Sequence, residues 1–403
     1  MKRRPKTRSS DDCQTVRVGA ARLLIPAEFD GRLVSASDCP ANCSEFVARS
    51  PESTIYHSPP YIGFARRENG AADMLVVRSQ GTPVFGIPIH PDSRGGWIST
   101  GYSGALFPDS NRESVLRASV TAFQQLVNVN RGLGFRIEQS VQASGYATPG
   151  RTTLLAQLLW DDRNQQRPAY ARILPVSTGL VNPGAGAPVV DGASLDNKLL
   201  AQYDGDIRNQ IRQALRRGLS VQVRILDNNA THAAIVDAYR RYMPVQVESY
   251  ARTGMTAHTL DYWVGLSEAV QRGGGTDVVV LVTDESGRDV AGVTCHAFRG
   301  RAIYWSGAST ASGKSARANP LALHAAITVC ASIGVTTFEL GRFDASERSE
   351  KERAITHYKA QFRGQLLPVL NFVRPPQTPR GQWGALARSI RSGLGRIGAA
   401  SRP

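Results

Sequence analysis

The chain has 403 residues, 41% of them hydrophobic and 20% charged, with 38 Gly and 22 Pro. That is globular composition, so disorder and fibrous classes are excluded for most of the chain, and two or three domains of roughly 150 residues each are expected. The net charge of +15 comes from 48 basic and 33 acidic residues, and 42 of the basic ones are Arg. Such a balance favours anionic partners: phosphorylated substrates, RNA or anionic membrane surfaces.

The longest apolar runs, such as Val278 to Val282, are far short of the ~20 residues of a membrane helix. The N-terminal Met1-Lys-Arg-Arg-Pro is basic without an apolar stretch after it, so no secretory signal is expected. Five cysteines make no disulfide framework, and a cytoplasmic location is the expectation.

In chain order, residues 1–48 read as a basic tail and irregular lead-in, and 49–195 as a first subdomain. Met74–Arg78 and Val84–Ile89 read as strands, the second at an edge because of Pro88. Leu116, Val120, Phe123 and Val127 recur at helical spacing, and Phe135–Glu138 and Thr152–Leu159 can be strands. Ser177–Ser194, rich in Gly, Pro and Ala, reads as a linker. The second subdomain, 196–372, opens on a helix ending at Gly218, with Arg208, Arg212 and Arg216 in one stripe beside an Ile207/Ile211/Leu215 face. A strand at Leu219–Ile225 follows, then helices near Ala233–Tyr242 and Leu260–Arg272. Three strands come next: Asp277–Thr283, Val290–Phe298 and Ala302–Gly307. A helix is expected to start at Asn319 and Pro320, residues suited to N-cap and N1, and Val335–Leu340 reads as a strand. Residues 373–403 form a basic tail. Within it Trp383, Leu386, Ile390, Leu394 and Ile397 share one helical face, so a peripheral contact with anionic membrane through 380–398 is an expectation, against five glycines that weaken a free helix.

Few motifs carry chemistry by themselves. Ala308-Ser-Thr-Ala-Ser-Gly-Lys-Ser315 approaches the phosphate-loop pattern, but the expected helix starts about five residues too late for its free N–H groups to meet a phosphate. Cys39 and Cys43 lack a second pair, Cys295 and Cys330 read as core residues, and the seven His have no metal-ligand spacing, so no metal site is expected. The Arg208/Arg212/Arg216 stripe fits either phosphate contacts or a solvated face. Lys359 fits either an ammonium facing an oxyanion or a surface Lys near a helix end.

Five segments together resemble FemAB-like acyltransferases. They are Arg208-Asn-Gln-Ile-Arg-Gln-Ala-Leu-Arg-Arg-Gly218; Tyr250-Ala-Arg-Thr-Gly254 with Tyr262-Trp263; Ala302-Ile-Tyr-Trp-Ser-Gly-Ala-Ser309 with Ala318-Asn-Pro-Leu-Ala-Leu-His324; Ile333 to Arg342; and Tyr358-Lys-Ala-Gln-Phe-Arg-Gly364. Tyr56-His-Ser-Pro-Pro-Tyr61 resembles the family's N-terminal segment, so the resemblance spans roughly residues 50–370. It implies an α/β (α+β) fold of two tandem GNAT-like subdomains, each a mixed, largely antiparallel sheet flanked by helices. It implies acyl or aminoacyl transfer to an amine, on a cell-envelope glycan or polysaccharide precursor or a small metabolite. The donor, aminoacyl-tRNA or acyl-CoA, is a substrate and not a tightly bound cofactor. By the same resemblance Lys359 is the catalytic Lys and Arg208 and Arg212 lie on the Arg-bearing helix that holds the acceptor's diphosphate; Tyr250, Arg252, Tyr304, Asn319 and Arg342 are further substrate-binding candidates.

The chain departs from that family in two respects. It has no long heptad insertion, and Arg363 stands between Phe362 and Gly364, which favours an exopolysaccharide or generic acyltransferase over a peptidoglycan-bridge enzyme. A free alkyl amine has a pKa near ~10 and must lose a proton before attack. Glu339, Asp344 and His324 are the candidate acceptors, with Glu339 preferred and His324 read as a helix-face residue. Two other readings stay open: an acyl-CoA-dependent N-acetyltransferase with a degenerate CoA loop, and a non-catalytic RNA- or membrane-binding protein that kept the fold.

Overall fold

The computed structural model describes residues 197–344 and 350–374 continuously, and 169–176 before them. Towards the N-terminus it describes 13–18, 21–26, 30–34, 47–48, 50, 53–69, 73–79, 82–92, 96–98, 106, 125, 135–140 and 165–166. The chain forms two units: Met1–Arg167 with Val369–Pro403, and Pro168–Pro368.

In the first unit, β1 (Cys13–Val18) and β2 (Ala21–Pro26) form a hairpin. β3 (Asp30–Val34) begins a second sheet. The lead-in expected to be irregular therefore contains three strands; their short alternations, such as Thr15-Val-Arg-Val18, lie between charged residues that mask the pattern. A 3-10 turn at Ile55–His57 leads into α1 (Pro59–Asn69), and the Thr54 N–H donates to His57 Nδ1 at 3.0 Å. β4 (Asp73–Ser79) pairs with β3 and with β5 (Thr82–Asp92). β6 (Gly96–Ile98) flanks the end of β5, so β5 is not an edge strand there, contrary to the reading of Pro88. β7 (Phe135–Ser140) runs parallel to β6, and β8 is Gln165–Gln166. Val47, Ile62, Ala65, Met74, Val76 and Leu106 form a small core. Of the helix expected near 111–127 only Gln125 is described, in helical conformation; the strand at 152–159, the linker at 177–194 and the tail beyond 374 lie outside the described residues.

In the second unit, β9 (Ala169–Pro175) and α2 (Asn197–Ala201) precede α3 (Gly205–Arg216), β10 (Ser220–Leu226), α4 (His232–Ala251) and α5 (Leu260–Arg272). The meander β11 (Thr276–Thr283), β12 (Asp289–Phe298) and β13 (Arg301–Ser309) follows. Then come α6 (Ala311–Ser315), α7 (Ala318–Ser332), β14 (Thr337–Asp344) and α8 (Glu350–Ala360). Last, β15 (Gln365–Arg374) returns to the first unit, where from Val369 it pairs antiparallel with β7. The second unit's strand order is β10-β11-β12-β13-β14-β9, antiparallel except for β13 with β14. β9 pairs with β14 and belongs to the second unit, which begins at Pro168.

The elements follow their residues. β11 is an unbroken apolar run because both its faces are covered. Val278, Val280 and Val282 join the core beneath α3 and α7, while α4 and α5 bring Tyr239, Tyr242 and Trp263 to the opposite face. α7 is apolar all round because it is buried throughout. Its N-cap is Arg317, in the left-handed region at φ 64°, so Asn319 and Pro320 lie inside the first turn rather than at N-cap and N1. α4 runs through Pro244 to Ala251, beyond the expected end at Tyr242, and Tyr250 belongs to its last turn rather than to a loop. Buried Val245 and Gln246, the latter accepting from Trp263 Nε1 at 3.1 Å, hold the second half of α4 in place.

A pair of ionisable side chains lies inside the α4/α5 face. Asp277 and His296 stand opposite each other on β11 and β12, both fully buried. Asp277 Oδ2 accepts from Tyr239 Oη at 2.6 Å, and Oδ1 lies 3.8 Å from His296 Nε2. Burial pushes Asp277 up to about 6 and His296 down to about 3. The two shifts act oppositely on stability. Unfolded His296 binds a proton below 6.5 and folded His296 only near 3, so acid destabilises through that window. Folded Asp277 takes up a proton near 6 and unfolded Asp277 only near 3.8, so acid stabilises there. Asp277→Asn is predicted to lose stability from pH 6.5 downward, by about 1.4 kcal/mol per unit at most. His296→Gln should instead gain stability between pH 6 and 4. Urea midpoints across that range check both signs.

Candidate active site

The site is built on β13. This strand pairs with β12 along its length but with β14 only over Arg301, Ala302 and Ile303, opposite Thr337, Phe338 and Glu339. Beyond Ile303 the two parallel strands part. At the same point β13 bulges: Tyr304 faces Cys295 and Ser306 faces Thr294, leaving Trp305 as the extra residue. The bulge sets Trp305 beside His296 (ring centroids 5.1 Å) and Ser306 Oγ 2.8 Å from Tyr242 Oη, and leaves Tyr304 against the core beneath α7.

Tyr304 carries Lys359. From the last turn of α8, Lys359 Nζ lies 5.7 Å from the centre of the Tyr304 ring. The Tyr304 hydroxyl extends over Gly307, where a Cβ would come within 2.0 Å of it. Burial raises Tyr304 and Tyr358 well above the ordinary phenol range, so both stay neutral. Burial also lowers Lys359 to about 8, against an upward pull from Glu339. Glu339 is buried on β14 and forms an ion pair with Arg301 Nη2. A carboxylate held this way is a poor general base, which changes the role expected of Glu339.

The other candidates distribute around this point. Tyr250 Oη reaches Ser306 Oγ at 3.5 Å, and Arg252 Nη2 donates to the Ser309 carbonyl at the end of β13. Arg208 is half-buried on α3, and its Nε has no hydrogen-bond partner among the described residues; Arg212 is exposed. The start of α3 is tied to the end of α8: the Asp204 N–H donates to the Gln361 carbonyl (2.9 Å), and Arg363 Nε donates to Asp204 Oδ1 (2.5 Å). Arg363, which departs from the family pattern, takes φ 58°. Asn319 Oδ1 in the first turn of α7 is buried without a partner among the described residues. Arg342 and Asp344 are on β14, with side chains outside the described residues. His324 is fully buried, Nδ1 3.2 Å from Tyr203 Oη, and belongs to the core as its helix-face reading implied.

The phosphate-loop lookalike is closed from within. Thr310 Oγ1 accepts from the Gly313 N–H (3.0 Å) and Glu248 Oε1 from the Ala311 N–H (2.6 Å). Gly313 is there for packing: a Cβ would meet the Val290 carbonyl oxygen at 2.0 Å.

The sequence reading missed Arg301, Gly307 and Ser306. Arg301 lies just before the strand expected at Ala302–Gly307. The signal for it was indirect: a carboxylate inside an apolar strand demands a cation, and the nearest came from 38 residues away.

Residues 203–360 match the acetyltransferase (GNAT) domain family. That match lies within the second unit. No curated protein matches the chain significantly. Among solved structures, a crystal structure of FemX is similar over 88% of this chain and 99% of its own, at 12% identity and a TM-score of 0.59. L-PGS from Bacillus licheniformis follows with 87% and 96% coverage, 11% identity and 0.49. A tandem GNAT protein from the clavulanic acid biosynthesis pathway has 87% and 99% coverage, 12% identity and 0.47. The FemX similarity establishes the fold and nothing about substrates.

Gly307 tests the geometry of the candidate site. Gly307→Ala is predicted to displace the Tyr304 ring from beneath Lys359 and cut turnover at least tenfold, at a stability cost of about 1–3 kcal/mol. Tyr304→Phe combined with Gly307→Ala should recover part of the lost turnover, because the oxygen at 2.0 Å is gone while the ring Cζ at 2.9 Å still has to shift.

Proposed function

We propose that the chain is an N-acyltransferase that moves an acyl or aminoacyl group onto an amine. The acceptor is an envelope glycan or polysaccharide precursor or a small metabolite. The observation that carries this is the parting of β13 and β14 beside Lys359. An acyl donor laid along the open edge of β13 brings its carbonyl to a buried amine that exchanges its proton near pH 8.

The chemistry balances as follows. Neutral Lys359 takes one proton from the acceptor ammonium, and the freed amine attacks the acyl carbonyl. Lys359, now charged, faces the developing oxyanion. As the C–N bond forms and the bond to the leaving group breaks, the second amine proton passes to the leaving thiolate or alkoxide. Lys359 returns its proton to solvent. Orientation of the two substrates supplies a further ~7–11 kcal/mol in favourable cases.

The open β13 edge suits a donor with amide groups of its own, as an acyl-CoA has. The charge of +15 suits tRNA. Titration of acetyl-CoA against charged and uncharged tRNA at moderate salt separates the two donors. Peripheral membrane contact belongs to the same proposal, for a lipid-linked acceptor; among the described residues no helix is long and apolar enough to cross a membrane.

With the right substrates, kcat is predicted to rise with pH through about 8, because the protonated Lys359 cannot accept. Lys359→Ala should lower kcat by ~10²–10⁴ with donor binding retained. Lys359→Arg should not restore it, since a guanidinium stays charged. Full turnover in Lys359→Ala would sink the role given to this residue. Binding of RNA or lipid that survives the substitution, with no turnover on either donor, would favour the non-catalytic reading.

A further inference from the structure

The polar side chains beneath α4 and α5 line up with the bulge of β13. On that face of the sheet β11 presents Asp277, then apolar Val279 and Leu281, and β12 presents His296 opposite Asp277 and Thr294 opposite Val279. The shift of register on β13 falls between these two polar residues of β12, and Trp305 is the residue left out. Its indole lies against the His296 ring, with centroids 5.1 Å apart and planes 31° apart. His296 is backed in turn by Asp277 at 3.8 Å, which Tyr239 of α4 holds at 2.6 Å. Burial lowers His296 to about 3, so the indole meets a neutral aromatic ring in an offset arrangement of ordinary spacing.

The bulge competes with one defined alternative. In an unbroken ladder Trp305 would face Thr294 and Ser306 would face Val293, and Ser306 to Ser309 would all change faces. Ser306 would then leave Tyr242, and Gly307 would leave the Tyr304 hydroxyl. A buried imidazole beside a buried carboxylate costs free energy that an apolar pair would not, so stability alone gives no reason for it. We propose that His296 is a positioning residue: it seats the Trp305 indole and thereby fixes the bulge that sets the faces of 306–309 along the open edge. Asp277 and Tyr239 hold the imidazole from behind. The inference deepens the acyl-transfer reading and rests on it for its purpose, whereas the seating of Trp305 can be read without a substrate.

The experiment follows hydrogen exchange on the whole protein for the native chain, His296→Phe and His296→Val. His296→Val should speed exchange at 304–309 by about tenfold or more, while 277–283 in β11 stays within about twofold of native. His296→Phe keeps a ring for the indole and should restore the native rate at 304–309. With acetyl-CoA as donor, His296→Val should raise KM by about tenfold and His296→Phe should leave it near native. Should His296→Val fail to fold, Trp305→Ala against Trp305→Phe makes the same comparison from the half-exposed ring, without touching the buried pair. Unchanged exchange at 304–309, an equal rise in β11, or a Phe variant that behaves like the Val variant overturns the proposal. If exchange responds as expected while neither acetyl-CoA nor charged tRNA supports turnover, the assignment of His296 stands and the acyl-transfer reading falls.

Discussion

β13 keeps β12 as a neighbour from end to end and loses β14 after Ile303. A strand interior to a sheet normally has both rows of backbone groups paired, and leaving one row open costs free energy unless something else occupies it. Here the opening coincides with the bulge at Trp305. The bulge turns Ser306 towards α4 and keeps Tyr304 under α8, so one local irregularity supplies both walls of the site. Gly307 then has to be a glycine, because the Tyr304 hydroxyl fills the space its Cβ would take.

The second unit buries two carboxylates and treats them differently. Asp277 has a phenol donor and a neutral imidazole nearby, and burial pushes its proton affinity up. Glu339 is paired with the Arg301 guanidinium. The first arrangement lies on the α4/α5 face, away from Lys359. The second lies next to the only described Lys with a depressed proton affinity. Buried charge is expensive, and the two carboxylates offset that cost in different ways.

Much of the second unit was legible in the sequence. The alternation in Ser220–Leu226, the valine run of β11 and the hairpin at Asp284–Arg288 dictate their own local structure. Lys359 was singled out through the resemblance of Tyr358-Lys-Ala-Gln-Phe362, and the structure places its Nζ over the Tyr304 ring. What stayed hidden was long-range. The Arg301–Glu339 pair depends on the register of two parallel strands 38 residues apart in sequence, which neither strand's own pattern announces. The start of α7 was misplaced because Arg317 adopts a left-handed conformation that no residue pattern announced. The strands before residue 35 were missed because their charged flanks break the alternation.

The central claim is that the open edge of β13, at 304–309, seats the acyl donor. Hydrogen exchange on the whole protein, with and without a donor that binds it saturably, tests this most directly. The account predicts slowed exchange at backbone amides of 304–309, together with the last turn of α8 around Lys359. Saturable donor binding that leaves 304–309 unchanged and slows exchange elsewhere would contradict it.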